Sequence, residues 1–167
     1  MGRNHRRYDA FYQEISRPFR SGHRPEVLLA AERILTGIMY VAYPLLLVYL
    51  LLRRPEELIR AILIPGVSFL ILTAVRKKIN RPRPYETWDI QPLIPRSKKG
   101  ESMPSRHVFS TAVIAMAYLF YFPGFGIAFL IIGLAAALIR VIAGIHYPSD
   151  AAVGYAAGVL AGILFFV

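Results

Sequence analysis

Three clusters of ionisable residues interrupt an otherwise apolar chain, and each lies at the end of a hydrophobic run. The first reads RKKINRPRP over residues 76–84, and the second reads PSRH over residues 104–107. The third combines Arg140, His146 and Asp150 in the spacing R-x5-H-x3-D. Ionisable groups at the ends of apolar spans are costly to keep and are usually functional. These clusters are therefore the candidates for a functional site.

The residue types in the clusters are those that bind a phosphoryl group. The guanidinium groups of Arg76, Arg83 and Arg140 offer planar, permanently charged donors to phosphate oxygens. Residues 102–107 are predicted to open a helix, and the free backbone N–H groups of a helix start also favour an anion. The combination predicts a site for a phosphate rather than for an uncharged substrate.

A histidine and a carboxylate in the third cluster have the spacing that prepares an imidazole for nucleophilic attack. Asp150 follows His146 by four residues, across a turn that contains Pro148. A carboxylate in this place can accept the Nδ1 proton, fix the tautomer and leave Nε2 free to attack. His107 in the second cluster offers a second imidazole, which can act as an acid. No carboxylate pair or His-rich cluster indicates a metal, so we expect neither a metal site nor a cofactor.

Five apolar runs predict an all-α integral membrane bundle of about five transmembrane helices. They cover residues 34–52, 58–75, 108–122, 125 to about 145, and 151–167. Each is close to the length that crosses the hydrocarbon layer of a bilayer. A soluble all-helical core is the alternative. Hydrophobic residues make up 56% of the chain, however, and too little polar surface remains to cover a soluble globule.

The order of the runs brings the three clusters to one membrane face. The first cluster ends the second run, the second cluster begins the third, and the last lies between the fourth and fifth. A formal net charge of +10 in so apolar a chain is typical of a membrane protein with cationic loops or a site for anionic substrates. We therefore expect the bilayer and a lipid phosphate as partners, and no nucleic acid.

The first 25 residues form a separate basic segment with amphipathic character. Its apolar residues at helical spacing are Tyr8, Phe11, Tyr12, Ile15 and Phe19. The pattern predicts a short helix, placed either in the membrane interface or against the body of the protein. The expected division is a basic N-terminal segment over 1–25 and a transmembrane domain over 26–167.

The three clusters resemble the signature of the type 2 phosphatidic acid phosphatases, the PAP2 superfamily, which shares its site with vanadium haloperoxidases. That signature reads K-x6-R-P, then P-S-G-H, then S-R-x5-H-x3-D, and the resemblance covers residues 76–150. It implies that His146 is the nucleophile, that Asp150 orients it, and that His107 is the general acid. The resemblance also implies which side chains hold the phosphoryl oxygens: Arg83, Arg140 and Ser105.

Three positions depart from the PAP2 pattern. The family Lys falls on Arg76, and the adjacent Lys77 and Lys78 leave open which cation reaches the phosphate. The family Gly of the second motif is Arg106, whose side chain either contacts a phosphate or headgroup or points outward. The family Ser before the third-motif arginine is Ile139. None of these changes removes the predicted nucleophile, acid or orienting carboxylate.

The resemblance implies hydrolysis of a lipid phosphomonoester or pyrophosphate through a phosphohistidine. Phosphatidylglycerophosphate, phosphatidic acid and polyprenyl phosphates all fit as substrates, and undecaprenyl pyrophosphate at the outer face is an alternative. A noncatalytic anionic-lipid binder or scramblase is a second class of function. It would need only the arginines, so the intact His107, His146 and Asp150 argue against it. A transporter is a third class, disfavoured because the runs show no repeat. The oligomeric state is left open.

Cationic residues outside the motifs predict the orientation of a multi-pass protein in the cell membrane. The N-terminal arginines share a face with the predicted site, and they are Arg3, Arg6, Arg7, Arg17, Arg20 and Arg24. The opposite face has little beyond Arg53, Arg54 and Arg60. The positive-inside rule therefore predicts a cytoplasmic active site, although many members of the resembled family act on the outer face.

Overall fold

The structure is a computed structural model that describes residues 2–95 and 97–167, with side chains from Tyr8 onward. Helices are the regular elements of the described residues: α1 (Gly2–Ser16), α2 (Arg24–Arg53), α3 (Pro55–Ile79), α4 (Pro84–Thr87), α5 (Arg106–Tyr121), α6 (Pro123–Ile142) and α7 (Pro148–Gly162). Short 3-10 turns follow α1 at Arg17–Phe19 and α7 at Ile163–Phe165. The predicted all-α membrane bundle is confirmed. The arginines at 3, 6 and 7, used to predict orientation, lie outside the described side chains.

Four segments in the described part of the chain are long and apolar enough to cross a membrane: Arg24–Arg53, Pro55–Thr87, Pro123–Ile142 and Pro148–Phe165. The predicted third run falls in α5, which has only 16 residues. At 1.5 Å per residue such a helix is about 24 Å long, less than the roughly 30 Å of a hydrocarbon core. The bundle therefore consists of four long helices and the shorter α5.

Proline and one left-handed residue mark where the long helices begin and end. Pro25, Pro55, Pro123 and Pro148 lie in the first turns of α2, α3, α6 and α7, where the missing N–H costs no helical hydrogen bond. Asn80 ends α3 with φ of 41°, a conformation that asparagine tolerates better than most residues. The chain then leaves the helix as the polar loop that carries the first cluster.

Helix α5 lies at the centre of the bundle, and α7 packs against it through glycine. A Cβ at Gly154 would lie 2.6 Å from the carbonyl oxygen of Ser105, and one at Gly158 would lie 2.5 Å from that of Phe109. Only glycine permits this approach of two helix backbones. The backbone N–H of Ser105 donates to the carbonyl of Asp150 at 2.9 Å, so the first turns of α5 and α7 lie side by side.

Contacts at the far end of the bundle fix the antiparallel order of the helices. The Tyr121 hydroxyl at the end of α5 donates to the Glu57 carboxylate at the start of α3, at 3.1 Å. Arg60 of α3 donates to the carbonyl of Leu164 after α7, at 2.9 Å. The end of α3, the start of α5, the end of α6 and the start of α7 therefore meet at the opposite end, as the order of the runs predicts.

Helix α1 packs against the body of the protein at the same end as the clusters. Tyr12 is fully buried, and its hydroxyl donates to the Gln91 carbonyl at 3.4 Å and accepts from the Leu93 N–H at 3.3 Å. Gly144 has φ of 76°, and a Cβ there would lie 2.6 Å from the Tyr12 hydroxyl. The inner face of α1 thus packs against the body of the protein, which is one of the two placements predicted from the sequence. Phe11 stays exposed, and its place in the membrane interface remains a prediction.

Candidate active site

His146 and Asp150 meet where the turn after α6 leads into α7. His146 is only 2% exposed and Asp150 is fully buried. The His146 Nδ1 lies 3.6 Å from the Asp150 Oδ2 and 3.3 Å from the Ser102 hydroxyl. Asp150 also accepts from the Tyr147 N–H at 3.0 Å, which caps the start of α7. These contacts occupy the Nδ1 side of the imidazole and leave Nε2 as the nitrogen that can react.

Burial keeps the His146 imidazole neutral near physiological pH. The low-dielectric surroundings lower the pKa of His146 to about 4, from an ordinary value of 6.5. The hydrogen-bonded Asp150 opposes the shift, whereas the positive charges of Arg83 and Arg140 add to it. A neutral imidazole has the free electron pair that a nucleophile needs.

Arg81 and Ser102 complete the surroundings of the carboxylate, and neither is among the residues predicted from the sequence. Arg81 donates to the Asp150 Oδ1 at 2.7 Å, and its guanidinium lies 4.1 Å from the centre of the Tyr147 ring. The Ser102 hydroxyl donates to the Asp150 Oδ2. A sequence signal existed for Arg81, because RPRP contains two Arg-Pro pairs, of which the family spacing selects only Arg83. Ser102 had no comparable signal.

Arg76 in the last turn of α3 and Arg83 on the loop that connects α3 to α5 are both buried. They are 3% and 6% exposed, respectively. Arg76 donates to the carbonyls of Glu101 and Pro104, and Arg83 donates to that of Gly100 at 3.1 Å. Both arginines therefore fix the position of the segment before α5. Each also keeps further guanidinium N–H groups that are available to a ligand. The loop is ordered by the same side chains that are predicted to bind phosphate.

Two buried polar atoms of this loop region have no hydrogen-bond partner within the described residues. They are the Ser105 hydroxyl and the Arg76 Nε. Buried polar groups are nearly always paired in folded proteins, so unpaired donors indicate where an anion would be bound. Ser105 is also the residue just before α5, where the free N–H groups of the first turn favour negative charge.

Arg140 pairs with a carboxylate that the motif pattern does not contain. Its guanidinium donates to the Glu32 carboxylate at 2.5 Å, and the two side chains are 5% and 7% exposed. Glu32 lies on α2, far from the three clusters in sequence. A signal for it was its place with Thr36 and Tyr40 at spacings of four residues, which puts three polar groups on one face of α2.

His107 and Arg106 lie in the first turn of α5, directly after Ser105. His107 is exposed, Arg106 is half-buried, and both line a cavity of about 270 Å³. The other walls of this cavity come from α2, with Thr36 and Tyr40, and from α3, with Phe69. A second cavity of about 300 Å³ shares Tyr40 and Phe69 and continues between α2 and α3. We call the two together the α2–α3 groove.

An aromatic cluster ties α1 and α4 to the turn that carries the histidine. The Trp88 indole donates to the Tyr147 hydroxyl at 2.8 Å. The Tyr8 ring of α1 lies 5.2 Å from the Trp88 ring and 5.0 Å from the Tyr147 ring, centre to centre. Trp88 thus anchors the loop, and α1 covers the outer side of the turn next to His146.

The sequence also matches the model of a known protein family. A model of the PAP2 superfamily matches residues 57–167. The chain belongs to the PAP2 superfamily. Glu32, Thr36 and Tyr40 lie before the matched segment, so the α2 side of the groove and the acidic partner of Arg140 are outside the part that defines the family.

PAP2 relatives of this chain include two lipid A 1-phosphatases. The proteins from Rhizobium johnstonii and Rhizobium etli are 31% and 30% identical to it over 96 and 95 residues, which is 54% of this chain in each case. The chain spans only about two fifths of their length, 39% and 41% respectively. The sequence match thus concerns about half of this chain and less than half of each relative.

Two solved structures have the same fold. LpxE of Aquifex aeolicus superposes with a TM-score of 0.73 and 23% identity, over 94% of this chain and 93% of that one. The first transmembrane PAP2 type phosphatidylglycerolphosphate phosphatase from Bacillus subtilis superposes with a TM-score of 0.61 and 21% identity, over 94% and 91% of the two chains. The helices, and not only the motifs, are therefore arranged as in membrane members of the superfamily.

The positions that depart from the PAP2 signature have distinct places in the structure. Arg76 is buried in the site, whereas Lys77 and Lys78 are exposed and take part in none of the hydrogen bonds or ion pairs found in the described part of the chain. The first-motif cation brought to the site is therefore Arg76. Arg106, in place of the family Gly, lies against the Phe69 ring, 5.6 Å from its centre, on the groove side of α5.

Proposed function

We propose that this protein is a membrane phosphatase that hydrolyses a lipid phosphomonoester or pyrophosphate through a phosphohistidine on His146. The observation that carries the proposal is a buried His146 whose Nδ1 faces Asp150 and Ser102, among arginines. The lipid A 1-phosphatases of the two Rhizobium species support a phosphorylated lipid as the substrate class.

In the first step, the electron pair of the His146 Nε2 attacks phosphorus, and the bond from phosphorus to the leaving oxygen breaks. His107 donates a proton to that oxygen, because an alkoxide is a poor leaving group. Asp150 and Ser102 stabilise the charge that develops on the imidazole. The groups that hold the nonbridging oxygens are Arg76, Arg83, Arg140 and Ser105.

In the second step, His107 has lost its proton and acts as a base. It takes a proton from water, and the water oxygen attacks the phosphorus of the phosphohistidine. The bond to the His146 nitrogen breaks, phosphate leaves, and both imidazoles return to their starting state. Guanidinium groups provide the neutralisation of charge that metal ions provide in many other phosphoryl-transfer enzymes.

The α2–α3 groove supports a lipid rather than a soluble phosphate ester. Its wall beyond His107 is mostly apolar, with Met39, Pro65 and Ile114. Acyl or isoprenoid chains in this groove would put the headgroup at the start of α5, where His107 lies. Binding energy from the chains would then hold the phosphate against the nucleophile.

Phosphate release from purified protein tests the proposal directly. The panel contains phosphatidic acid, phosphatidylglycerophosphate and polyprenyl mono- and diphosphates in detergent with EDTA, since we expect no metal requirement. The control is His146→Ala prepared in parallel, because it reports any contaminating phosphatase. We expect release from at least one lipid by the wild type alone. Lipid binding without release by any of them would favour the noncatalytic alternative.

We also propose that the site faces the cytoplasm. The arginines at the N-terminal end of the chain and the cationic loop after α3 share the site's face, so the positive-inside rule favours this orientation. The chain has no cysteine, so single cysteines at Ser97, which is exposed, and Gly124, where a Cβ meets nothing within 4 Å, can be labelled without background. An impermeant thiol reagent on intact cells should label position 124 and spare position 97. The reverse pattern would place the site outside and favour undecaprenyl pyrophosphate.

A further inference from the structure

Arg106 is a cation that no carboxylate contacts directly in the described part of the chain, and the charge of Glu101 acts on it only at longer range. It has no hydrogen bond or ion pair among the described residues, and its contact is with the Phe69 ring. Glu101 makes its ion pair with Lys98 instead, at 2.9 Å. Phe69 precedes Arg76 by seven residues on α3, about two helical turns further from the site end of the bundle. Arg106 is the first residue of α5, so its side chain extends from the site end toward this ring. A cation beside apolar membrane helices is costly unless an anion joins it.

Three cations around the site make no ion pair within the described residues. Arg81 is paired with Asp150, and Arg140 is paired with Glu32. The hydrogen bonds of Arg76 and Arg83 go to backbone carbonyls, and Arg106 adds a third cation without an acidic partner. These three are Arg76, Arg83 and Arg106. A phosphomonoester brings about two negative charges at neutral pH, and a second phosphate adds about one more.

We propose that Arg106 forms a subsite for the second phosphate of a lipid diphosphate. The inference rests on the proposed function and specifies its substrate class. The terminal phosphate would lie at His146 between Arg76 and Arg83. The phosphate attached to the lipid would lie next to His107, against the Arg106 guanidinium, with the lipid chain continuing into the α2–α3 groove.

The chemistry of a diphosphate agrees with this placement. The His146 nitrogen attacks the terminal phosphorus, the P–O–P bond breaks, and the lipid monophosphate leaves with the electron pair. Water then releases the terminal group as phosphate, so one diphosphate and one water give one lipid monophosphate and one phosphate. The leaving phosphate has a pKa near 6, far below that of an alcohol, and Arg106 stabilises its new charge. Departure of this phosphate therefore depends less on a proton from His107.

Two substrates with one isoprenoid chain, farnesyl diphosphate and farnesyl monophosphate, test the subsite. In Arg106→Ala, kcat/KM should fall for both, but roughly tenfold to a hundredfold more for the diphosphate, the usual effect of losing a charge-assisted contact. Arg106→Lys should recover part of the difference. The matched control is Arg33→Ala, which removes an exposed arginine of α2 and should leave the ratio of the two kcat/KM values unchanged.

Binding provides a second measurement that does not depend on turnover. The methylene analogue of farnesyl diphosphate should inhibit the wild type competitively, and its inhibition constant should rise in Arg106→Ala by a similar factor. Equal losses for the two substrates, or an unchanged inhibition constant, would overturn the subsite. So would a wild type that hydrolyses only the monophosphate, although the proposed function would then stand. A wild type inactive on every lipid phosphate would instead refute the function, and the subsite with it.

Discussion

The two histidines of the site have opposite surroundings. His146 is 2% exposed, and its Nδ1 side is occupied by Asp150 and Ser102. His107 is exposed on the wall of the α2–α3 groove, next to the half-buried Arg106. The side proposed to carry the nucleophile is thus fixed by buried polar contacts, whereas the side proposed for the leaving group is open to the groove. In the proposed mechanism, the first side performs the chemistry, which needs one geometry, and the groove decides the choice of substrate.

Loss of the carboxylate on the fixed side should have the largest effect. In Asp150→Asn, the side chain no longer balances the charge of Arg81 or the positive charge that develops on the His146 imidazole. We expect kcat to fall roughly a thousandfold or more, as for other histidines deprived of an orienting carboxylate. Ser102→Ala removes a neutral hydroxyl that contacts both His146 and Asp150, and it should cost far less, on the order of tenfold. Similar losses in the two variants would mean that the carboxylate has no special role.

The loss of rate caused by removing the acid on the open side should depend on the leaving group of the substrate. His107→Ala should slow hydrolysis of a lipid phosphomonoester roughly a hundredfold or more. An aryl phosphate with an activated leaving group needs no proton in the first step, so its cleavage should suffer much less. Pre-steady-state kinetics with both substrates measures the first step. An equal loss for the two would remove His107 from the role of acid.

The ion pair between Glu32 and Arg140 connects the two sides, because it joins the phosphate-binding arginine to the groove helix α2. Glu32→Ala leaves a buried, unbalanced guanidinium, which typically destabilises a protein by about 3–5 kcal/mol. We also expect kcat/KM to fall by roughly tenfold as Arg140 loses its orientation. The matched control, Glu32→Gln with Arg140→Gln, should recover thermal stability but not activity. If the double variant were as unstable as Glu32→Ala, the pair would not be the cause.

The smallest effect that we predict is a lowered pKa of His146 on the buried side. Burial disfavours the charged imidazole, so the pKa of His146 falls to about 4, and the neutral nucleophile persists well below pH 6.5. Nitrogen NMR of histidine-labelled protein measures this directly, with the resonance assigned by its absence in His146→Gln. A midpoint at or above 6.5 would contradict the described burial.

Much of this site could be predicted from residue spacing. The R-x5-H-x3-D register indicated the contact between His146 and Asp150, and the parity of the helices indicated that the three clusters meet at one end. These features depend on local geometry and chain direction, both of which are visible in a sequence.

The partners that arrive from distant segments could not be predicted in the same way. Ser102 and Arg81 reach Asp150 only because the loop folds back over α7, and Glu32 reaches Arg140 across the bundle. Their pairing depends on how far each helix is rotated and shifted, which no local pattern records. The sequence also did not show that α5 is the central helix, with its apolar residues packed against other helices.

The nucleophile can be identified most directly by trapping the covalent intermediate. His107→Ala is mixed with an activated aryl phosphate, so that the first step proceeds while the second, which needs a base, is slow. The protein is digested at alkaline pH, where phosphohistidine survives, and the peptides are analysed by mass spectrometry. We predict one added phosphoryl group on His146. A phosphoryl group on another residue, or phosphate released with no protein-bound intermediate, would contradict the mechanism.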